Sequence, residues 1–546
     1  MTGYKSKTQR IIISLVSLLV LIALACASAT APLSNQAPAR EQPAAPAAEE
    51  RGMAQPAEVE KAVGMAQEAP APLATAAMAA APALPNAEPY DAMYFESEGV
   101  NPFVDTEDDY LSTFAMDVDT GAYTIARRYV TDGYLPPEEA IRVEEFVNYF
   151  EQGYPYPPEE EAFAIDIDGA PTPFTENERN QMLRIGIQGY AVAPEERQDM
   201  ALTFVIDVSG SMEQENRLGL VKEALALLVN QLRPSDTVGI VVYGSQARVV
   251  LEPAGGADRE EILAAIYRLQ TEGSTNAEAG LRLGYDLALQ AFKPGAINRV
   301  ILASDGVANV GQTSAESIWD VVKAKASEGI TLTTVGFGMG NYNDVLMEQL
   351  ADNGDGFYAY VDTLREAERL FVHDLASTLQ TIALDAKVQV EFNPEVVERY
   401  RLVGFENRAI ADESFRDDTV DAGEIGAGHT VTALYEIKPR AEASGRIAAV
   451  SIRWEDPESH EVAELSREFY SEDLAPAFSE TSPRFQWAVL VAEYAEILRG
   501  SYWAQNSSLA AVLEDAQRVS QLLDQDAKAL EFVDLVTRAA QIAKAE

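Results

Sequence analysis

Asp207, Ser209 and Ser211 close the string Leu-Thr-Phe-Val-Ile-Asp-Val-Ser-Gly-Ser-Met, residues 202–212. An apolar run ends abruptly in three oxygen-bearing side chains at alternate positions. A buried strand that stops this way holds a carboxylate and two hydroxyls near one point. Hard oxygen ligands of this kind suit Mg²⁺ or Mn²⁺ rather than zinc. Two hydroxyls and one or two carboxylates do not complete an octahedron. Such a site therefore keeps waters, or a position for an oxygen from a partner. Two further segments carry related chemistry. Gly273-Ser274-Thr275-Asn276-Ala277 lies just before an expected helix, and Ile301-Leu302-Ala303-Ser304-Asp305-Gly306 ends another apolar strand.

The elements that must position these residues follow from periodicity. Continuous apolar strands are expected at Leu202 to Ile206, Val238 to Tyr243, Val300 to Ala303 and Leu332 to Val335. Amphipathic helices are expected at Leu218 to Leu232, Arg259 to Leu269, Ala277 to Phe292 and Ala315 to Ser327, with further helices near Val345 to Ala351 and Ala367 to Leu379. Apolar strands separated by helices point to a mainly parallel sheet covered on both faces, a doubly wound α/β unit. In such a sheet, ligands bind beyond the carboxyl ends of the strands, where strand order reverses. Strands ending at Asp207 and Asp305 can bring both carboxylates to one crevice, and Thr275 can join them from a loop.

Asp207-x-Ser209-x-Ser211, then Thr275, then Asp305 in Ser-Asp-Gly, resembles the metal-ion-dependent adhesion site of von Willebrand factor type A domains. The order and the intervals match, and all five positions hold expected residue types. The resemblance implies a metal site in which Ser209, Ser211 and Thr275 offer hydroxyls, while Asp207 and Asp305 act directly or through waters. It also implies a partner, a protein or surface ligand whose exposed Asp or Glu completes the metal shell. The flanks resemble a bacterial group of lipoproteins with a central type A domain. Asn101-Pro102-Phe103, Leu111-Ser112-Thr113-Phe114, Asp117-Val118-Asp119-Thr120 and Arg142-Val143-Glu144-Glu145 carry that likeness. It supplies architecture but no biochemical activity.

The expected organisation runs as a signal peptide over 1–26, a disordered Ala/Pro-rich tether over 27–93, and an N-terminal flank of helices then strands over 94–197. A type A domain over 198–382, a β-rich domain over 383–475 and a C-terminal helical segment over 476–546 follow. Leu111 to Tyr154 reads as mostly helical. Strand-like alternation appears at Glu161 to Ala170 and Gln181 to Ala191, and returns from Val388 to about Tyr470. Neither half-sized strand set closes a good core alone. One β-sandwich shared by residues 161–191 and 388–470, with the type A domain inserted between its parts, resolves that shortage.

The chain of 546 residues carries 87 acidic against 41 basic residues, a formal charge of −46. Nucleic acid is excluded as a natural partner, since phosphate binding needs clustered Lys and Arg. Anionic headgroups also repel this surface, so membrane attachment must be covalent or by insertion. The one cysteine, Cys26, rules out a disulfide within the chain. It follows Lys5, Lys7, Arg10 and the uncharged stretch from Ile11 to Ala25, a secretory signal by its charged start and short apolar core. That stretch spans only ~22 Å as a helix, short of the ~30 Å hydrocarbon core. Ala23-Leu24-Ala25-Cys26 resembles a bacterial lipobox, which implies cleavage before Cys26 and lipid on its thiol. The tether would have a root-mean-square span of ~45 Å. The expected location is the bacterial cell envelope, lipid-anchored outside the cytoplasmic membrane.

Competing motifs are incomplete. Asp119-Thr120-Gly121 has no second copy, as an aspartic protease requires. Asp117-x-Asp119-x-Gly121 lacks the bidentate Glu of a calcium loop. His460-Glu461-Val462-Ala463-Glu464 has Glu where a zinc protease needs its second His. No Gly-x-x-x-x-Gly-Lys string is present. The expected function is non-enzymatic, metal-dependent binding. An envelope scaffold with a structural metal is the alternative, and a metal-dependent hydrolase the third.

Overall fold

The computed structural model describes residues 93–545, apart from 159–160, 175–179, 194, 215–216, 307–311, 340–341 and 376–378. The signal segment, Cys26 and nearly all of the tether lie outside the described residues. Among those described, no helix is long and apolar enough to cross a membrane.

The central sheet runs Tyr358–Val361, Thr331–Phe337, Ile297–Ser304, Met200–Asp207, Thr237–Tyr243, Ala247–Gly255. Its first five strands pair in parallel and the last is antiparallel. The strands are apolar throughout because both faces are covered. Leu202, Phe204 and Ile206 pack with Val221, Leu225 and Ile262 from helices Leu218–Asn230 and Arg259–Tyr267. Val205, on the other face, packs with Leu281, Tyr285 and Met347 from helices Ala277–Ala291 and Asp344–Asp352. The earliest strand, Met200–Asp207, has Thr237–Tyr243 on one side and Ile297–Ser304 on the other. Strand order therefore reverses beside it.

The flanking strands form a sandwich built from both ends of the chain. One sheet runs Val104–Asp105, Val397–Val403, Thr430–Pro439, Gln181–Gly189, Phe163–Pro171, all antiparallel. In the other, Thr381–Phe392 pairs with Arg446–Glu455 on one edge, and with Gly423–Gly426 and Leu111–Ala115 on the opposite edge. Ile165, Ile167, Leu183 and Ile185 share a core with Val388, Val390, Ile447 and Val450. The type A segment lies between the strands Gln181–Gly189 and Thr381–Phe392 in sequence. The C-terminal helices Pro483–Leu498, Leu509–Ser520 and Ala527–Ala545 close a third core, in which Trp487 and Phe532 meet Tyr123, Phe146 and Phe150 of the N-terminal flank. Ser482 accepts the Phe485 amide and Pro483 opens the first of these helices, a strong start signal.

Several elements differ from the expectation. Leu111–Ala115 is a strand, not part of a helical stretch, because Thr381–Phe392 offers it an edge. Ala247–Gly255 is a strand that the expected apolar strands do not include, since Arg248, Glu252 and Pro253 interrupt its apolar run. The helix expected over Ala367 to Leu379 starts earlier and is interrupted: Leu364–Glu368 is α-helical, Arg369–His373 is a wider turn, and Leu375 and Leu379 are again helical.

Candidate metal centre

The Asp207 carboxylate sits where the strand stops, wholly buried. Ile206 pairs with Ala303, which puts Asp207 level with Ser304, one residue before Asp305. One carboxylate oxygen, Oδ1, accepts the Ser209 amide at 2.8 Å, a tight turn that swings the chain out of the sheet. Oδ2 accepts the Ser304 hydroxyl at 3.0 Å. The Ser209 and Ser211 hydroxyl oxygens lie 3.0 Å apart.

The Thr275 loop is sewn to the same turn through backbone groups. The Gly210 amide donates to the Gly273 carbonyl at 3.0 Å, and Glu272 donates to the Val208 carbonyl at 2.5 Å. Gly273 has φ +70°, and a Cβ there would meet Ser245 Oγ at 2.0 Å, so both its conformation and its surroundings demand glycine. Thr275 is half-buried two residues further on. Asn276 then caps the following helix by accepting the Ala279 amide at 3.1 Å. The structure thus links Asp207, Ser209, Ser211 and Asp305 through hydrogen bonds and places Thr275 in the adjoining loop.

Arg217 is a member of this centre that the motif does not include. Its Nη1 donates to Asp305 Oδ2 at 2.7 Å and to the Ser211 carbonyl at 2.8 Å. Its Nη2 donates to the Met339 carbonyl. A lone Arg just before a helix gives no type-level signal, so sequence reasoning had little with which to find it.

Burial pushes the Asp207 carboxyl above its ordinary value, against the lowering effect of hydrogen bonds from Ser209 and Ser304. Asp305 is pushed up to about 6, by burial first and the Asp207 charge second, with Arg217 opposing. Two desolvated carboxylates side by side are an arrangement that a cation relieves. The hydroxyl geometry agrees. Metal–oxygen distances of 2.0–2.1 Å place neighbouring corners of an Mg²⁺ octahedron about 2.9 Å apart, close to the 3.0 Å between the two serine oxygens. The donor set is oxygen throughout. These residues fit a hard divalent ion.

Two other carboxylate groupings exist among the described residues. Asp117, Asp119 and Glu348 converge, but Arg408 occupies their midst, 3.0 Å from Asp117, 2.9 Å from Glu348 and 2.8 Å from Asp352. Asp385, Asp421 and Glu424 also converge, and Asp421 pairs with Lys323 at 3.2 Å.

Known proteins share this architecture. The family model for the von Willebrand factor type A domain matches residues 201–373. A model described as "von Willebrand factor" matches 89–184, and one described as "Uncharacterized protein YfbK, C-terminal" matches 377–542. YfbK of Escherichia coli strain K12 is 37% identical over 499 residues, covering 87% of this chain and 85% of that protein. The chain belongs to the YfbK family of von Willebrand factor type A domain proteins. The Synechocystis protein sll0103 is 27% identical over 228 residues, 42% of this chain and 51% of its own length. A solved von Willebrand factor type A structure from Catenulispora acidiphila aligns over 68% of this chain and 88% of its own, with a TM-score of 0.40 and 16% identity. A type A domain suggests a protein-interaction or adhesion-type role, and domains of this kind often bind a metal.

Proposed function

We propose that this YfbK-family protein is a cell-envelope lipoprotein that binds a protein or surface ligand through a divalent metal, with a carboxylate of the partner completing the metal shell. The observation that carries this reading is the meeting of Asp207, Ser209, Ser211 and Asp305 at the point where strand order reverses. Asp207, Ser209, Ser211, Thr275 and Asp305 would hold Mg²⁺ or Mn²⁺. The bound ion supplies Lewis acidity toward an anionic oxygen. The chain's own residues do the rest. Asp207 provides charge, its bonds to the Ser209 amide and Ser304 fix its orientation, and the loop carrying Thr275 borders the opening.

The envelope location rests on the signal-like start and Cys26, whose replacement by Ser should release the protein from the membrane fraction. Pull-down from envelope extracts, with Mg²⁺ or with chelator, tests the binding role. Wild type should retain a partner in Mg²⁺ alone, and Asp207→Ala should retain none. Equal capture under all three conditions contradicts the reading. If chelation lowers the melting temperature without releasing the partner, the metal is structural and the protein is a scaffold.

A further inference from the structure

Arg217 holds one carboxylate of the proposed metal site, that of Asp305. Its side chain is 1% exposed. It joins three loops at once: the Ser209–Ser211 turn through the Ser211 carbonyl, the Asp305 loop through Oδ2, and the loop after Thr331–Phe337 through the Met339 carbonyl. The path of the side chain is prepared. Gly338 has φ +79°, and a Cβ there would come within 2.5 Å of Arg217 Cγ. The Tyr360 hydroxyl donates to the Gly338 carbonyl at 2.7 Å, holding that loop in place. Arg217 Nε is buried with no acceptor among the described residues. Leaving a guanidinium N–H unsatisfied in the interior costs stability, so packing alone does not account for the placement. The contact with Asp305 does, because a guanidinium matches a carboxylate in shape and charge.

The charge balance gives the arrangement a consequence. A divalent ion with Asp207 and Asp305 alone makes a neutral centre. With Arg217 added, the loaded centre keeps one positive charge. Asp305 Oδ2 is also engaged by the guanidinium and is not free to move onto the ion.

We propose that Arg217 is a specificity-determining residue: by holding Asp305 it keeps that carboxylate from becoming a direct metal ligand and leaves the loaded site with a positive charge that an external carboxylate neutralises. This rests on the metal-binding reading above. Arg217 thereby trades intrinsic metal affinity for dependence on an anionic partner.

The test is Mn²⁺ calorimetry on the purified protein, with and without acetate as the probe carboxylate. In wild type, acetate tightens Mn²⁺ binding. Arg217→Gln should bind Mn²⁺ about tenfold more tightly than wild type, and acetate should no longer tighten it. Arg217→Lys loses the fork but keeps the charge, and on the charge argument it should stay within about threefold of wild type in both quantities. Circular dichroism establishes that each variant is folded. Unchanged or weaker Mn²⁺ binding by folded Arg217→Gln overturns the proposal, as does full acetate coupling in that variant. If Arg217→Gln does not fold, Arg217→Lys decides: a tenfold tightening or a loss of acetate coupling there contradicts the charge argument. Equal Mn²⁺ binding by wild type and Asp207→Ala overturns the metal reading itself, and the Arg217 proposal with it.

Discussion

Two regions of the molecule gather buried carboxylates, and they treat them differently. Where the N-terminal flank meets helix Asp344–Asp352, Arg408 is within ion-pair reach of Asp117, Asp119, Glu348 and Asp352. Every acid there has a cation of the protein's own. At the strand ends, Arg217 reaches Asp305 and, among the described residues, Asp207 has hydrogen bonds and no ion pair. The first region is a finished ion network that ties two parts of the fold together. The second has charge left over, beside two serine hydroxyls at octahedral spacing. The number of carboxylates does not separate a joint from a metal centre. What the internal cations leave unneutralised does.

The comparison breaks most visibly at Arg408. Arg408→Ala leaves several buried acids without a partner and should cost roughly 3–5 kcal/mol of stability. The loss should appear in the denaturation midpoint, while Mn²⁺ affinity of the folded protein stays within about twofold of wild type. A large change in metal affinity with little loss of stability would reverse the roles assigned to the two regions.

Glu493 supplies the contrasting case, a half-buried residue whose Oε1 is buried and which has no ion pair among the described residues. Burial pushes it up from 4.5 to about 8, with Ser507 hydrogen bonding opposing. The folded form holds its proton more tightly than the unfolded form does. Its contribution is therefore fully present below pH 4.5 and is lost as pH rises toward 8. Glu493→Gln removes the ionisation. It should be about 1–3 kcal/mol more stable than wild type at pH 8.5, with the advantage vanishing at pH 4.5. Parallel pH–stability profiles for the two proteins would show that the carboxylate finds a counter-charge after all.

The smallest stability effect is expected at the proposed metal centre. Ser209→Ala removes one proposed hydroxyl ligand, keeps the backbone amide that Asp207 accepts, and should change metal-free stability by less than about 1 kcal/mol. Mn²⁺ affinity should nevertheless fall about tenfold. A variant with unaltered affinity would place the ion, if any, away from that hydroxyl.

The central sheet was legible because its strands are buried on both faces and read as unbroken apolar runs. The carboxylates at their ends stood out against that background, and two such ends at one strand reversal suffice to define a crevice. Strands with mixed faces were harder to see. In Val397–Val403, Arg401 is buried yet charged, and it pairs with Glu436 and Glu496, 3.3 and 3.4 Å away. Its partners come from a strand and a helix far along the chain, so nothing local marks it as buried. Leu111–Ala115 depends in the same way on an edge supplied by residues 387–391. Arg217 was hidden for a similar reason, since its three acceptors belong to three separate loops.

Calorimetric titration of Mn²⁺ into the purified protein, comparing wild type with Asp207→Ala, tests the central claim most directly. The account predicts saturable binding at one site in wild type and its loss in the variant, with the circular dichroism of both unchanged. Equal binding by the two proteins would contradict it.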